Sequence, residues 1–248
     1  MTWLLDLDGV VWLAEQPIPG ASEAVERLRA AGQRVLFATN NSAVPVGEQE
    51  AKLARHGIEA RGDVVTSAMA AARVVVPGER VLVCGGPGIV EAVAARGALA
   101  VQGGDAEVVM VGFDRGFDYE RLRVAARAVD RGARLVATND DATYPTPDGP
   151  IPGGGALVAA VAYATGVTPI VAGKPHPPMA DLVRALGGSE GTVVGDRPDT
   201  DGAFARELGY RFALVLSGVT GVSDLPVDPA PDVVADSLAD LVARELPG

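Results

Sequence analysis

The chain has 248 residues, of which 48% are hydrophobic and 21% charged, a composition typical of soluble globular proteins with one large domain or two modest ones. Its formal net charge of −11 disfavours nucleic acid as a partner, because proteins that bind the phosphate backbone need clustered Lys and Arg side chains. A single cysteine cannot form an internal disulfide, and no apolar run is long enough to span a membrane, so we expect a cytoplasmic protein without membrane contact.

Short β-rich runs alternate with longer runs of Ala, Leu, Glu and Arg at helical spacing, which predicts an α/β fold with a parallel sheet. In chain order, the predicted strands cover residues 3–7, 35–39, 64–65, 80–84, 108–112, 134–138, 170–172, 192–195 and 211–216. The predicted helices cover residues 21–31, 46–56, a segment capped by Ser67, 89–95, 119–131, 156–165, 179–186, 200–208 and a last segment from about 238.

Four predicted strands or strand-like runs end in polar segments. These are residues 6–9 (DLDG), 39–42 (TNNS), 173–175 (GKP) and 195–201 (GDRPDTD). Because open parallel sheets bind ligands at the carboxyl ends of their strands, these segments are the candidate site.

The residue types in these segments suit phosphate chemistry. Asp6 and Asp8 point to the same side of a strand end and repel each other, so a cation such as Mg²⁺, which prefers oxygen ligands, is expected between them. Thr39 and the amides after it offer hydrogen-bond donors for phosphate oxygens, and Lys174 offers a positive charge.

Each segment alone also has a simpler interpretation. An Asp after a strand is often a turn former or a helix N-cap, Thr-Asn-Asn is ordinary loop composition, and Lys before Pro is ordinary surface. Together and in this order, however, the four segments supply a nucleophile, a phosphate cradle, a neutralising lysine and metal-binding carboxylates. This combination favours phosphoryl transfer.

The four segments resemble the DxDG, TNNS, GKP and GDxxxTD motifs of the haloacid dehalogenase superfamily, and within it the NagD-like phosphatases, such as p-nitrophenyl, phosphoglycolate and glycerol phosphate phosphatases. The resemblance extends over nearly the whole chain. It implies a Rossmann-like core made of residues 1–66 and 169–248, with an α/β cap inserted at residues 67–168.

The resemblance implies a role for each matching residue. Asp6 would attack phosphorus and become an aspartyl phosphate, while Asp8 would act as the general acid and base. Lys174 would neutralise charge, and Thr39 with the backbone at Asn40 would hold the phosphoryl group.

The resemblance also implies a metal site and a group of supporting residues. Mg²⁺ would bind Asp6, the carbonyl of Asp8, and Asp196. Asp201 and Asn41 would not bind the metal themselves but would orient the groups around it.

The substrate is expected to be a small phosphorylated metabolite. Phosphoglycolate, glycerol phosphate, pyridoxal phosphate and nucleotide monophosphates all stay open. The cap is expected to select among them, with Asn139, Asp140, Arg197 and His176 as candidate contacts, and a homodimer through the cap is left open.

Two other kinds of protein carry similar residues. A phospho-acceptor switch also combines an acceptor aspartate, magnesium, a hydroxyl and a lysine, but Asp8 would supply the base that destroys a long-lived acyl phosphate. A catalytically silent interaction module is disfavoured because every catalytic position is filled. Phosphomutases and dehalogenases are minor alternatives within the superfamily.

Overall fold

The protein folds into two compact α/β units. The computed structural model describes residues 1–13, 16–144, 146 and 148–246. The first unit comprises Met1–Thr39, Gly47–Val65 and Lys174–Gly248, and the second comprises Asn40–Val46 and Thr66–Gly173. The assignment of residues 67–168 to a cap domain stays a prediction.

The strands and helices follow one another in the alternation that the sequence predicts. The strands are β1 (Thr2–Leu5), β2 (Trp12–Leu13), β3 (Gln16–Pro17), β4 (Arg34–Thr39), β5 (Val64–Thr66), β6 (Arg80–Cys84), β7 (Leu99–Val101), β8 (Val108–Val111), β9 (Arg134–Ala137), β10 (Thr143–Tyr144), β11 (Ile151–Pro152), β12 (Ile170–Val171), β13 (Gly191–Gly195), β14 (Arg211–Val215) and β15 (Val233–Ala235). The α-helices are α1 (Ala21–Ala30), α2 (Val46–Arg55), α3 (Ser67–Arg73), α4 (Pro87–Ala95), α5 (Tyr119–Asp130), α6 (Gly154–Thr165), α7 (Pro177–Gly187), α8 (Ala203–Leu208) and α9 (Leu238–Glu245).

The sheet of the first unit has the strand order β15-β14-β13-β1-β4-β5. Strand β1 lies in its interior and pairs in parallel with β13 on one side and β4 on the other, with Leu5 opposite Val194 and Phe37. All four residues of β1 are buried, as expected for an interior strand of a parallel sheet.

The second unit is built around a five-stranded sheet with the order β12-β9-β8-β6-β7. Its strand pairs are parallel. The core beside this sheet includes Leu82, Val109 and Leu135 from the strands and Val129 and Val161 from α5 and α6. This unit therefore has its own hydrophobic core.

The predicted α/β class with parallel sheets is confirmed. The predicted strands and helices appear with ends shifted by one or two residues in most cases. Strands β2, β3, β7, β10, β11 and β15, each two or three residues long, were not predicted.

Two predicted helix starts are wrong. The N-cap of α3 is Thr66, whose hydroxyl accepts from the Met69 amide at 3.3 Å, and Ser67 instead donates to the Asn40 carbonyl at 2.7 Å. Residues 200–202 belong to a π-helical turn, Pro198–Gly202, and α8 begins only after it. The turn is wide because the Arg197 carbonyl accepts the amides of residues 200, 201 and 202.

No helix in the described ranges combines the length and the apolar character that crossing a lipid bilayer requires.

The interior position of β4 gives a test of the first unit. Leu36 is completely buried, so Leu36→Ala should lower the free energy of unfolding by about 2–5 kcal/mol through lost burial and an incompletely filled cavity. Leu186→Ala, at a position 45% exposed, should cost less than about 0.5 kcal/mol. Urea titration followed by tryptophan fluorescence measures this unit, since both tryptophans, Trp3 and Trp12, lie in it. Equal losses in the two variants would contradict the placement of Leu36.

Candidate active site

The strand order of the first unit brings three polar strand ends side by side. Asp6 follows β1, Asp196 follows β13, and Thr39 ends β4, and these are adjacent strands. The Asp6 amide still donates to the Val194 carbonyl at 2.9 Å, so its backbone continues the sheet while its side chain leaves the strand end. Parallel neighbours thereby concentrate polar groups at one edge of the sheet.

Lys174 lies between two of the carboxylates. Its Nζ is 3.0 Å from Asp6 Oδ1 and 2.7 Å from Asp201 Oδ1. The side chain of Lys174 is only 3% exposed and that of Asp201 1%, so this pair is shielded from water, whereas the Asp6 side chain is 13% exposed. A buried charge is stable only when it is paired, and here one ammonium group serves two carboxylates.

Both oxygens of Asp201 are engaged. Oδ1 accepts from Lys174, and Oδ2 accepts from the backbone amide of Arg197 at 3.2 Å. The π-helical turn closes this contact, because residue 201 folds back over residue 197. The contacts are those expected of a residue that orients Lys174.

Asp196 occupies a slot lined by two glycines. It is 2% exposed, and its Oδ2 accepts from the Val219 amide at 2.6 Å. A Cβ at Gly9 would lie 2.4 Å from Asp196 Cγ, and a Cβ at Gly218 would lie 2.0 Å from Oδ2. Both positions therefore require glycine, and Gly9 also has a φ of +82°.

Burial and neighbouring carboxylates raise the pKa of Asp6 and of Asp196. Burial raises the pKa of Asp196 to about 6, and the nearby Asp201 adds to the effect. Burial also raises the pKa of Asp6 well above its ordinary value, although Lys174 opposes the shift. For Lys174, burial alone would lower the pKa, but Asp201 and Asp6 outweigh it and raise the pKa. The cluster thus lacks positive charge.

The donor set suits a divalent cation. Carboxylate oxygens of Asp6, Asp196 and Asp201 lie within 4.8 Å of one another. Two unit charges at that separation repel by roughly 3–4 kcal/mol at an effective dielectric constant of about 20. Because Asp201 is already held by Lys174 and Arg197, Asp6 and Asp196 are the carboxylates best able to bind a hard cation such as Mg²⁺.

Asp8 lies in the turn that follows β1. Its Oδ1 accepts a hydrogen bond from Trp12 Nε1 at 3.0 Å. The same turn is closed by the Gly9 amide, which donates to the Trp12 carbonyl at 2.7 Å. The sequence predicted a function for Asp8 and none for Trp12.

The remaining candidates of the first unit lie at the starts of helical segments or at a strand end. Thr39 is buried at the end of β4. His176 is the N-cap residue of α7, and Arg197 precedes the π-helical turn with its guanidinium 3.3 Å from Asp199. Their contacts with a substrate stay predictions.

In the second unit, Asn40 is held by a hydrogen-bond network. Its carbonyl accepts from Ser67 Oγ at 2.7 Å and from Asn139 Nδ2 at 2.8 Å. Its side-chain amide donates to both oxygens of Asp141, at 3.3 and 3.2 Å. The network fixes the peptide at Asn40, which the sequence predicts to bind phosphate.

Asn139 is a buried member of the same network, and its contact with a substrate stays a prediction. It is 3% exposed, its Nδ2 donates to Asn40, and its Oδ1 accepts from the Asp141 amide at 3.2 Å. Asp140 is exposed, and Asn41 accepts from the Ala43 amide through Oδ1 at 3.1 Å. Of the two predicted specificity residues in this unit, Asp140 is therefore the accessible one.

Comparison with known proteins identifies the family. A model of haloacid dehalogenase-like hydrolases matches residues 3–98, and a second, HAD-hydrolase-like model matches residues 171–241. An acid sugar phosphatase of Staphylococcus saprophyticus is 33% identical over 251 residues, covering 98% of this chain and 97% of that protein. The chain belongs to the haloacid dehalogenase-like hydrolases. It is an enzyme of the phosphatase group within them.

Other phosphatases share its sequence and its fold. A D-glycerol 3-phosphate phosphatase of Mycobacterium tuberculosis is 40% identical over 229 residues, which is 89% of this hydrolase but only 64% of the relative's length. A p-nitrophenyl phosphatase of Archaeoglobus fulgidus superposes with a TM-score of 0.92 at 32% identity and covers 98% of both chains.

Metal complexes are known among the structural neighbours. A glycerol phosphate phosphatase of M. tuberculosis crystallised with magnesium superposes with a TM-score of 0.90 at 37% identity, covering 97% of this hydrolase and 76% of that chain. These comparisons confirm the resemblance that the four motifs suggested. A divalent metal is therefore the expected partner of the acidic cluster.

The glycine slot around Asp196 gives a test of the site. Gly218→Ala should weaken Mg²⁺ binding at least about 10-fold, because the added methyl group would displace the Asp196 carboxylate. Gly221→Ala is the matched control, since a Cβ there meets nothing closer than 3.6 Å. Isothermal titration calorimetry measures both affinities. Unchanged binding in Gly218→Ala would show that the slot has no part in metal binding.

Proposed function

We propose that this phosphatase hydrolyses a small phosphate monoester with Mg²⁺ and through a phosphoryl intermediate on Asp6. The observation that carries the proposal is the contact of one buried lysine, Lys174, with Asp6 and Asp201, beside a second metal-binding carboxylate, Asp196. A nucleophile, a neutralising cation and an uncompensated negative charge are thereby close together.

Asp6 is suited to attack phosphorus through one of its two oxygens. Its hydrogen bonds within the described residues, from the Leu7 amide at 2.8 Å and from Lys174 at 3.0 Å, both fall on Oδ1. They fix the carboxylate in one orientation and leave Oδ2 for the attack. A bond from Oδ2 to phosphorus forms as the bond to the leaving alcohol breaks.

Asp8 is suited to the proton transfers. It is two residues away from the nucleophile in a closed turn, and its carboxyl group is held by Trp12. As an acid it donates a proton to the leaving oxygen, and as a base it takes one from the water that hydrolyses the intermediate.

Charge is balanced from two sides. Lys174 reduces the negative charge near Asp6 and so favours the approach of a phosphate dianion. A Mg²⁺ ion held by Asp6 and Asp196 would supply further positive charge for the phosphoryl oxygens. That Thr39 and the backbone at Asn40 bind these oxygens is part of the same proposal.

The substrate is proposed to be a small phosphorylated compound with free hydroxyl groups. The relatives named as glycerol 3-phosphate and acid sugar phosphatases support this class. The roles of Asn139, Asp140, His176 and Arg197 in substrate choice, a homodimer through the cap and a cytoplasmic location stay predictions. Glycerol 3-phosphate is the first compound to assay.

The covalent mechanism is tested by two Asn variants. Asp6→Asn should abolish both turnover and the covalent intermediate, because an amide is a far weaker nucleophile. With p-nitrophenyl phosphate, Asp8→Asn should still transfer the phosphoryl group but hydrolyse the intermediate roughly 10²–10⁴-fold more slowly. Rapid quench, borohydride reduction and peptide mapping should then locate the label on Asp6. A label on Asp8 or Asp196, or normal turnover in Asp6→Asn, would overturn the assignment.

Metal dependence should follow the protonation of Asp196. In the metal-free protein its raised pKa means that the neutral acid is stabilised by folding, so its contribution to stability is lost as the pH rises through about 6. Metal binding needs the ionised carboxylate of Asp196, so the affinity for Mg²⁺ should rise as the pH rises through about 6. The increase in Tm caused by Mg²⁺ should be small near pH 5 and should grow to a plateau above about pH 7.

Thermal melts with Mg²⁺ and with excess chelator at each pH measure this effect. Asp196→Asn is the control and should show little increase at any pH. Phosphate release from p-nitrophenyl phosphate should stop in chelator and return with Mg²⁺. Full activity in chelator, or a Tm increase that does not depend on pH, would contradict the proposed metal site.

A further inference from the structure

The side chain of Trp12 is buried against the turn that carries Asp8. It is 1% exposed, and its Nε1 donates to Asp8 Oδ1 at 3.0 Å. The backbone of the same turn is closed twice, by Gly9 N to Trp12 O at 2.7 Å and by Trp12 N to Leu7 O at 3.2 Å. Trp12 thus holds both the backbone around Asp8 and one of its carboxyl oxygens.

Helix α2 fixes the indole from another direction. Lys52 Nζ lies 4.3 Å from the centre of the indole, and the ring of His56 lies 5.7 Å from it, tilted by 45°. Residues four apart in a helical turn share one face, so Lys52 of α2 and His56, which follows the last residue of α2, both contact the same ring. A cation over an aromatic face is attracted to it, and this limits rotation of the indole.

We propose that Trp12 is a positioning residue that decides which oxygen of Asp8 transfers protons. The inference rests on the acid and base role proposed above for Asp8. An N–H group that donates to Oδ1 favours the carbonyl form of that oxygen, because a carbonyl oxygen accepts a hydrogen bond better than a hydroxyl oxygen does, and it thereby places the transferable proton on Oδ2.

Asp8 exchanges one proton in each of the two displacement steps. In the first, the Asp6–phosphorus bond forms, the bond from phosphorus to the leaving oxygen breaks, and the Oδ2 proton of Asp8 passes to that oxygen. In the second, Oδ2 takes a proton from water as the water oxygen bonds to phosphorus and the Asp6–phosphorus bond breaks. Without the indole N–H, the carboxyl group of Asp8 is held less firmly in the orientation that directs Oδ2 at the leaving oxygen, which reduces the share of productive orientations.

The leaving group provides the decisive readout. A poor acid catalyst matters most when the leaving oxygen is basic, as in phenyl phosphate, and least when it is weakly basic, as in p-nitrophenyl phosphate. Trp12→Phe keeps an aromatic ring but removes the N–H. We expect kcat/KM to fall about 10-fold or more for phenyl phosphate and less than about 3-fold for p-nitrophenyl phosphate.

Trp3→Phe is the matched control. Trp3 is the only other tryptophan, lies in the same unit and is also buried, at 4% exposed. The Trp3→Phe variant should be less stable than the wild type, but its ratio of kcat/KM values for the two substrates should be unchanged. An equal loss on both substrates in Trp12→Phe would mean a purely structural role and would overturn the proposal.

A second variant answers the case in which Trp12→Phe does not fold. In the Trp3→Phe protein, the one remaining tryptophan is replaced biosynthetically by benzothienylalanine, which keeps the shape of the indole but has sulfur in place of N–H. The same selective loss on phenyl phosphate is expected. Equal activity on both substrates relative to the Trp3→Phe parent would refute the proposal.

Asp8→Asn separates this inference from the proposed function. If Asp8→Asn loses more activity on phenyl phosphate than on p-nitrophenyl phosphate and the Trp12 variants do not, only the inference about Trp12 fails. If Asp8→Asn shows no such selectivity, the acid role of Asp8 fails, and the positioning role of Trp12 fails with it.

Discussion

The mutual repulsion of buried carboxylates is the constraint on which the rest of the site depends. Oxygens of Asp6, Asp196 and Asp201 lie within 4.8 Å of one another, and a single ammonium group, that of Lys174, contacts two of the three residues. Such a cluster is costly to fold, because neither burial nor like charge favours ionisation. The same excess of negative charge makes it a strong ligand for a divalent cation. The first unit therefore places mutually repelling carboxylates at one edge of its sheet, and binding of a divalent cation would reduce that repulsion.

The backbone packs closely around the carboxylates because glycines occupy the positions where a side chain would clash with them. Gly9 and Gly218 allow Asp196 to lie against two separate loops, and the hydroxyl of Ser217 ties those loops together by donating to the Gly9 carbonyl at 2.7 Å. Gly195 does the same for Asp201, since a Cβ there would lie 2.2 Å from its Cγ. The positions of the carboxylates are thus set by close backbone contact, which is stiffer than contact between flexible side chains.

The second unit is organised around Asn40 in a comparable way. Three side chains, those of Ser67, Asn139 and Asp141, bind either its carbonyl or its side-chain amide. They come from the start of α3 and from the loop after β9, which are far apart in the chain. The chain passes from the first unit into the second between Thr39 and Asn40. Asn139 helps to fix the peptide at Asn40 from inside the second unit.

The sequence by itself determined the α/β class, most helices and strands, the family and the identity of Asp6, Asp8, Lys174 and Asp196 as candidates. These features are local: periodicity marks an element, and a short motif at a strand end marks a chemical group. Tertiary structure alone decided the rest. No pattern near Gly218 indicates that it faces Asp196, and nothing at Trp12 indicates an indole N–H on Asp8, held beneath Lys52. The π-helical turn at Pro198–Gly202 was not predicted either, because a single carbonyl that accepts three amides leaves no periodic pattern in the sequence. Contacts between residues distant in the chain depend on how strands are ordered and how loops pack, and a single sequence does not carry that information in any local pattern.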